Sequence, residues 1–232
     1  AGCAALDKLL VNDGTGKLVD EASSRLPAIS STAGATRFGD LDGDGDLDLI
    51  VLDGYAANAP DSGKILLNDG NGKLTLSPGA APAFASGGSD PDDVDLGDFD
   101  RDFDLDVFVN LHEGKSLLWS NDGTGKFNDV TGNVPAFGAA FHYDPAVCDV
   151  DADGDLDLWV DNVASGYTEM LLINDGTGKF TNETAARVSD NVIQADDNGV
   201  ACVDVDHDGD FDAAVMSLTD NERVLLNDGT GK

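Results

Sequence analysis

Short apolar runs separated by polar, glycine-rich turns recur along the whole chain. One set of near-continuous apolar runs covers residues 47–52, 105–109, 156–160 and 211–216. Runs of this length that are bounded by turn residues are typical of strands buried on both faces. A second set of shorter runs covers residues 9–11, 65–67, 117–119, 171–173 and 224–226. Because no stretch shows a sustained 3.6-residue period, the pattern predicts an all-β protein with almost no helix.

Each run of the second set leads into the same turn sequence, Asn-Asp-Gly-Thr/Asn-Gly-Lys. The five copies begin at Asn12, Asn68, Asn121, Asn174 and Asn227. The glycines supply the positive φ angles that a tight hairpin needs, so the motif predicts a β-hairpin. A phosphate-cradling loop is the functional alternative. It is disfavoured because the segment leads into a strand rather than into the N-terminus of a helix.

Each run of the first set overlaps the end of a nine-residue acidic loop with carboxylates at positions 1, 3, 5, 7 and 9. The loops begin at Asp40, Asp98, Asp149 and Asp204, at intervals of 58, 51 and 55 residues. This spacing suits a hard divalent cation, which takes six to eight oxygen ligands at about 2.3–2.6 Å. Four copies at similar intervals indicate a repeat protein built around metal-binding loops.

The two motifs together define one unit: strand, acidic loop, buried strand, variable loop, strand, hairpin, strand. Four antiparallel strands in about 53 residues match a β-propeller blade, and a solenoid would favour shorter repeats. We therefore expect one repeat domain over residues 1–232, with a partial blade at 1–36 and the last repeat incomplete. The expected repeats cover residues 37–92, 93–145, 146–198 and 199–232. A four-bladed ring, part of a larger propeller and an open array all remain possible.

The acidic loops are candidate calcium sites with an EF-hand-like ligand order. Positions 1, 3, 5 and 9 would contribute side-chain oxygens, and position 7 its backbone carbonyl. Calcium is favoured because Mg²⁺ prefers to keep waters in a strict octahedron, and because no His or Cys stands at a ligand position for Zn²⁺. A solvated acidic turn without metal is the alternative. The candidate ligands are Asp40, Asp42, Asp44, Asp46, Asp48, Asp98, Asp100, Asp102, Asp104, Asp106, Asp149, Asp151, Asp153, Asp155, Asp157, Asp204, Asp206, Asp208, Asp210 and Asp212.

The second loop departs from the others at position 6, where Phe103 replaces glycine. If the turn requires left-handed backbone, a non-glycine residue there costs on the order of 1 kcal/mol. We therefore predict that this site is the weakest or the most distorted of the four. Arg101 is expected to neutralise part of the charge of this loop, and His207, at position 4 of the fourth loop, is expected to face solvent.

Residues 38–51, which read Phe-Gly-Asp-Leu-Asp-Gly-Asp-Gly-Asp-Leu-Asp-Leu-Ile-Val, resemble the FG-GAP/VCBS family of propeller repeats. The Leu-Leu-Asn-Asp-Gly-Thr-Gly-Lys-Phe element strengthens the resemblance, which covers essentially the whole chain. Such repeats occur in integrin α-subunit heads and in many bacterial surface proteins. The resemblance implies a calcium ion between the first and second strands of each blade, and recognition or adhesion more often than catalysis. Family propellers usually close with seven blades, and this chain has about four repeats.

The formal net charge of −32, with only 13 Lys and Arg, argues against binding to nucleic acid or to an anionic membrane. No apolar stretch approaches the length of about 20 residues needed to span a bilayer. Cys148 and Cys202 stand one and two residues before their acidic loops, so they should point to opposite faces of their strands. This offset favours two small buried side chains over a disulfide.

No catalytic constellation stands out, because none of the three His has a recognisable nucleophile partner, and we expect no enzyme activity. A protein or carbohydrate ligand would bind the variable segments 55–62, 136–143 and 162–168. These segments carry aromatic residues, which could stack on sugars or anchor a protein partner where they are exposed. The predicted function is a calcium-stabilised, extracellular recognition or adhesion module. A structural subunit of a surface layer or filament, formed by self-association of the repeats, is the alternative.

Overall fold

Five antiparallel sheets follow one another along the chain in the computed structural model. The structure describes residues 8–29, 33–53, 62–82, 91–111, 116–136, 144–163, 168–189, 197–219 and 221–232. Sheet I consists of β1 (Leu10–Asn12) and β2 (Leu18–Asp20), and sheet II of β3 (Ala33–Gly39), β4 (Asp48–Asp53), β5 (Ser62–Asn68) and β6 (Leu74–Ser77). Sheet III consists of β7 (Pro91–Gly97), β8 (Asp106–Leu111), β9 (Leu117–Asn121) and β10 (Phe127–Asp129). Sheet IV consists of β11 (Ala146–Cys148), β12 (Asp157–Val163), β13 (Thr168–Asn174) and β14 (Phe180–Asn182), and sheet V of β15 (Asp197–Val203), β16 (Asp212–Ser217) and β17 (Arg223–Leu225).

The strands of each sheet pair in the order in which they occur in the sequence. In sheets II, III and IV the acidic loop joins the first strand to the second, and the Asn-Asp-Gly hairpin joins the third strand to the fourth. The helices of the described residues are α1 (Ala22–Arg25), α2 (Thr184–Arg187) and one 3₁₀ turn at Thr131–Asn133. The prediction of an all-β fold made of antiparallel propeller-like blades is therefore confirmed.

The first strands of sheets II, III and V begin two to four residues before the expected repeat limits of 37, 93 and 199. Each of these first strands contains a bulge, where the pairing with the second strand shifts. In sheets III and V the extra residues lie at the bulge, whereas in sheet II Ala35 and Thr36 pair regularly with the second strand.

Sheets II to V pack face to face in chain order, and each of their three interfaces has its own apolar core. Ile65 of β5 and Trp119 of β9 belong to the core between sheets II and III. Between sheets III and IV, the rings of Phe99 and Phe180 meet edge to face with centroids 5.7 Å apart. Burying a side chain such as Phe stabilises a fold by about 1.5–3 kcal/mol. The second strand β8 is buried along its whole length, as the apolar run 105–109 predicts.

Cys148 and Cys202 form a disulfide between sheets IV and V, so the prediction of two unbonded cysteines is wrong. The two side chains do point to opposite faces of their strands. When two similar sheets stack, the face of the first sheet that meets the second is opposite to the face of the second sheet that meets the first. Cys148 of β11 and Cys202 of β15 therefore pack in the same core. Their Cα atoms are 6.4 Å apart, within the range that a disulfide spans. A disulfide between consecutive blades therefore needs its two cysteines on opposite strand faces, and the one-residue offset between their positions relative to the acidic loops places them there.

Removal of this disulfide is expected to destabilise the protein. The bridge closes a loop with a sequence separation of 54 residues. Replacing both Cys148 and Cys202 with Ser should lower the free energy of unfolding by about 2–4 kcal/mol, mainly because the unfolded chain gains conformational freedom. Urea unfolding of both proteins, with and without reductant, measures this. Reductant should destabilise the parent protein and leave the double variant unchanged, and equal stability of the two oxidised proteins would refute the prediction.

Candidate metal sites in the acidic loops

The carboxylates at positions 1, 3 and 9 come together in each acidic loop, here numbered 1 to 4 in chain order. In loop 1, ligand atoms of Asp40, Asp42 and Asp48 all lie within 4.8 Å of one another. The other three groups are Asp98, Asp100 and Asp106 in loop 2, Asp149, Asp151 and Asp157 in loop 3, and Asp204, Asp206 and Asp212 in loop 4. Three carboxylates at this separation repel one another unless a cation or protons lie between them.

The aspartate at position 9 opens the second strand and fastens the loop to the sheet. Asp157 is fully buried and accepts hydrogen bonds from the backbone N–H groups of Val150 and Asn174, both at 2.9 Å. The equivalent pairs of bonds at Asp48, Asp106 and Asp212 have lengths between 2.7 and 3.1 Å. Each position-9 carboxylate thus joins the start of its loop to the end of the third strand.

Burial also shifts the acidity of these carboxyl groups. It raises the pKa of Asp106 to about 7 and that of Asp157 to about 6, against the favourable effect of their backbone hydrogen bonds. Burial likewise raises the pKa of Asp48. A cation favours the ionised form that burial disfavours, so metal binding is expected to release protons near neutral pH.

The aspartate at position 1 holds the turn of the loop through backbone N–H groups. In loop 3, Asp149 accepts from Asp153 at 3.1 Å and from Gly154 at 3.0 Å. Loop 2 repeats this pattern, since Asp98 accepts from Asp102 and Phe103, both at 3.1 Å. The two loops share these bonds and the three-carboxylate group. Loop 2 therefore keeps the hydrogen bonds of the regular loops, and the prediction that its site is the weakest or the most distorted stays a prediction.

Positions 5 and 7 lie outside the three-carboxylate groups. The position-5 side chains of Asp44, Asp102, Asp153 and Asp208 each accept a hydrogen bond from the backbone N–H of position 7 in their own loop. At position 7, the carboxylates of Asp46, Asp104, Asp155 and Asp210 approach the first hairpin glycine of the same sheet, at Gly70, Gly123, Gly176 and Gly229. In loop 3, burial raises the pKa of Asp155 to about 7.

Two positions of each loop have left-handed backbone, whereas the sequence predicted only one. At position 6 the φ angles are 92°, 73°, 90° and 101° for Gly45, Phe103, Gly154 and Gly209. Position 4 is also left-handed, with φ of 63°, 59° and 65° at Arg101, Ala152 and His207. Because glycine stands there only in loop 1, sequence comparison of the four loops does not expose this requirement. His207 is exposed, as predicted.

Phe103→Gly is expected to stabilise the protein by up to about 1 kcal/mol, because it removes the left-handed strain of a non-glycine residue. The side chain of Phe103 is 93% exposed, so little packing is lost. The matched control is Phe103→Ala, which removes the ring and keeps the strain. Chemical unfolding in calcium and in chelator should show a higher midpoint for the glycine variant alone. Equal stability of the two variants would show that the backbone carries no strain.

The first Asn of the hairpins in sheets III, IV and V connects neighbouring sheets, a role that the hairpin prediction did not include. The Nδ2 group of Asn174 donates to the carbonyl of Leu156 in its own sheet at 3.0 Å, and to that of Phe99 in loop 2 at 2.8 Å. The same two bonds join Asn121 to Leu105 and Leu41, and Asn227 to Phe211 and Val150. An amide has two donor hydrogens, which explains why Asn recurs where a simple turn would also accept Asp.

The hairpin of each following sheet also covers the acidic loop of the preceding one. A β-carbon on the second hairpin glycine would lie 3.2–3.6 Å from the Cβ of a position-3 aspartate, for the pairs Gly125 and Asp42 and Gly231 and Asp151. A β-carbon on Gly178 would lie at a similar distance, 3.5 Å, from the Cβ of Asp100. In loop 4 no described hairpin follows, and the position-3 residue Asp206 is exposed. The first three loops therefore lie at the junctions between sheets.

Arg101 does not serve its own loop as predicted. Its Nη2 group donates to the carbonyl of Asp153 in loop 3 at 3.0 Å. The side chain of Arg101 thus reaches the acidic loop of the next sheet. There it favours the ionised forms of Asp153 and Asp155.

Several loop carboxylates have a buried oxygen without a hydrogen-bond partner among the described residues. In the three-carboxylate groups these atoms are Asp100 Oδ1, Asp151 Oδ1 and Asp204 Oδ1. A buried, unpaired carboxylate oxygen is costly, and a bound cation removes that cost. Oxygen-only donors near two backbone turns suit a hard cation such as Ca²⁺ or Mg²⁺. The residues therefore fit the divalent metal that the loop spacing predicts.

The sheets and loops define a class: a propeller-like repeat protein with a cluster of carboxylates between the first and second strands of its blades. Residues 5–51 and 98–160 match the family model described as the FG-GAP-like repeat, and these regions contain loops 1, 2 and 3. The match covers a little less than half of the chain and supports the FG-GAP part of the resemblance found in the sequence. A search of curated proteins finds no match to the chain.

Most residues of the expected recognition segments lie outside the part of the chain that the structure describes. Residues 55–61, 137–143 and 164–167, which hold their aromatic side chains, lie outside the described residues, as do His112 and His142. Within the described part of the chain, no helix is long and apolar enough to cross a membrane.

Proposed function

We propose that the four acidic loops bind Ca²⁺ and that the ions have a structural role. The observation that carries this proposal is the approach of three carboxylates within 4.8 Å in all four loops. Buried, unpaired oxygens in loops 2, 3 and 4 support it. The positions of loops 1 to 3 at sheet junctions imply that an ion there would stabilise the packing of consecutive blades, since ligand that binds only the folded state adds to its stability.

Calorimetric titration of metal-free protein with Ca²⁺ and, separately, with Mg²⁺ tests the identity of the ion. Saturable Ca²⁺ binding with a much weaker response to Mg²⁺ is expected, because irregular loops with many carboxylates satisfy the flexible coordination of Ca²⁺ better. Dissociation constants near 10⁻⁴–10⁻³ M would match extracellular calcium modules. Preference for Mg²⁺, or absence of binding, would refute the assignment.

We further propose that the protein is a non-catalytic recognition or adhesion module that acts outside the cell. FG-GAP-like repeats are typical of extracellular and surface proteins, and the disulfide between Cys148 and Cys202 suits an oxidising compartment. A protein or carbohydrate ligand would bind the variable segments at 55–62, 136–143 and 162–168. Binding of immobilised glycans and of candidate surface proteins, compared with a variant lacking Tyr55 and Tyr167, tests this function. Binding unaffected by these substitutions would place recognition elsewhere.

A second candidate function is a structural subunit that assembles through its repeats. One observation favours it: sheet V and the turns beside it expose Met216, Leu218, Val224 and Leu226, each about half exposed or more. Exposed apolar side chains favour self-association. Light scattering over a range of concentrations separates the candidates, since assembly should increase the mass, and a constant monomer mass supports the recognition module.

A further inference from the structure

Arg187, the last residue of α2, contacts two consecutive sheets and one acidic loop. Its Nε group donates to Glu183 Oε2 at 2.6 Å, and its Nη1 group donates to the carbonyl of Thr230, in the hairpin of sheet V, at 2.5 Å. Its Nη2 group donates to Asp151 Oδ2 in loop 3 at 3.0 Å. The side chains of Arg187 and Asp151 are both 15% exposed, so these are partly buried contacts.

We propose that Arg187 is a positioning residue for the cation site of loop 3, where it fixes the carboxylate of Asp151. This inference rests on the proposed calcium function. The guanidinium group takes one oxygen of Asp151 and leaves Oδ1, which is buried and has no hydrogen-bond partner in the described chain. Hydrogen bonds to a ligating carboxylate restrict its orientation and strengthen metal binding, typically by about 10–100-fold.

The charge of Arg187 does not by itself oppose a cation in loop 3. Glu183 lies on the same short helical turn and accepts a hydrogen bond from the guanidinium group, so the pair has no net charge. The three hydrogen bonds come from the three different nitrogens of the planar guanidinium group, so together they fix its orientation more firmly than a single bond would. The pair therefore acts on Asp151 through geometry.

The neighbouring hairpin leaves room for this arrangement. A β-carbon on Gly231 would collide with Arg187 Nη1 and would lie 3.2 Å from Asp151 Cβ. The hairpin of sheet V, Arg187 and Asp151 thus pack as one unit, and the cation site of loop 3 is coupled to the docking of sheet V.

The other loops lack an equivalent bond. The position-3 residue of loop 2, Asp100, has Ser120 Oγ at 3.5 Å from its Oδ2 atom. In loops 1 and 4, Asp42 and Asp206 each accept from a backbone N–H of their own loop at 3.3 Å. Among the described contacts, loop 3 is the loop whose position-3 carboxylate is held by a charged side chain.

The chain contains a natural control for this contact. Arg25 forms an ion pair with Glu21, four residues earlier, as Arg187 does with Glu183. The Nη1 group of Arg25 donates to the carbonyl of Asn71 in the hairpin of sheet II at 2.5 Å. Among the described residues, Arg25 contacts Glu21 and the hairpin of sheet II, and no carboxylate of an acidic loop is among its partners. Substitution of Arg25 therefore removes the same inter-sheet bond without touching a cation site.

The test compares two charge-balanced double variants of the whole chain, Glu183→Gln with Arg187→Met and Glu21→Gln with Arg25→Met. Calcium affinities are measured by calorimetry and by competition with a chromophoric chelator, and circular dichroism confirms that both proteins are folded. The first variant should retain three sites of parental affinity and one weakened at least tenfold. The second should retain four unchanged sites.

Four outcomes would overturn the inference or its basis. Four unchanged sites in the first variant, or equal weakening in both variants, would show that Arg187 does not position a ligand. In an Asp151→Ala background, the changes at Glu183 and Arg187 should weaken calcium binding no further. Further weakening in that background would show that Arg187 acts through another group. Failure of the parental protein to bind Ca²⁺ would instead refute the proposed function.

Discussion

Removal of calcium is expected to lower the Tm of the protein by about 15–25 °C. At free calcium about twenty times the dissociation constant, each site contributes about 1.8 kcal/mol, and four sites contribute about 7 kcal/mol. For a chain of this size, each kcal/mol corresponds to about 2–4 °C in Tm. The physical reason is the repulsion among grouped carboxylates that a cation offsets in every loop. Differential scanning calorimetry in calcium and in excess EDTA measures the shift.

Magnesium and salt provide the controls for that experiment. Mg²⁺ at the same concentration should restore little of the lost Tm, and readdition of Ca²⁺ should restore all of it. High salt screens exposed charges, so it should recover only part of the loss in EDTA. Identical melting curves in calcium and EDTA would contradict a structural role for the ions.

Asp157→Ala is expected to lower the free energy of unfolding by about 3–5 kcal/mol in calcium. Two buried backbone N–H groups, of Val150 and Asn174, would lose their acceptor, at about 1–3 kcal/mol each. The loss of a cation ligand adds to this. In EDTA no calcium is bound, so only the loss of the hydrogen bonds destabilises the variant. The decrease in the free energy of unfolding should then be smaller than in calcium by the contribution of one calcium site. Urea unfolding in both buffers measures the two parts separately.

The matched control is Asp153→Ala in the same loop. Asp153 is exposed, lies outside the group formed by positions 1, 3 and 9, and accepts one hydrogen bond within the loop. We expect it to cost about 1 kcal/mol or less. If Asp153→Ala destabilises as much as Asp157→Ala, the distinction that the structure draws between these two positions is wrong.

The sequence predicted the blades because both motifs are local. The acidic loops and the hairpins fix their own backbone by side-chain to backbone hydrogen bonds within a few residues, as Asp149 does with Asp153 and Gly154. The second strands were equally clear, since burial on both faces leaves a continuous apolar run. Local regularity of this kind is visible in a single sequence.

Contacts between blades were missed because they depend on how the sheets stack. The bond from Asn174 to Phe99, separated by 75 residues, has no local signal beyond the recurrence of Asn in the hairpins. The disulfide has no local signal for the same reason, because the sequence of one strand does not show which faces of two stacked sheets meet. The recurrence of Glu-x-x-x-Arg at 21–25 and 183–187 is the sequence signal that would have pointed to Arg187.

The ligand order within a loop stays a prediction. An EF-hand-like order assigns side-chain ligands to positions 1, 3, 5 and 9, and the structure brings together the carboxylates of positions 1, 3 and 9. The left-handed backbone at position 4 has no sequence signal, because glycine stands there only in loop 1.

The number of calcium ions bound to each folded chain tests the account most directly. Native mass spectrometry or equilibrium dialysis of the 232-residue protein should give four ions for the parent chain. The Asp48→Ala variant, which lacks the buried position-9 carboxylate of loop 1, should bind three. A parent chain that binds no calcium, or a variant that still binds four ions, would contradict the assignment of the acidic loops as cation sites.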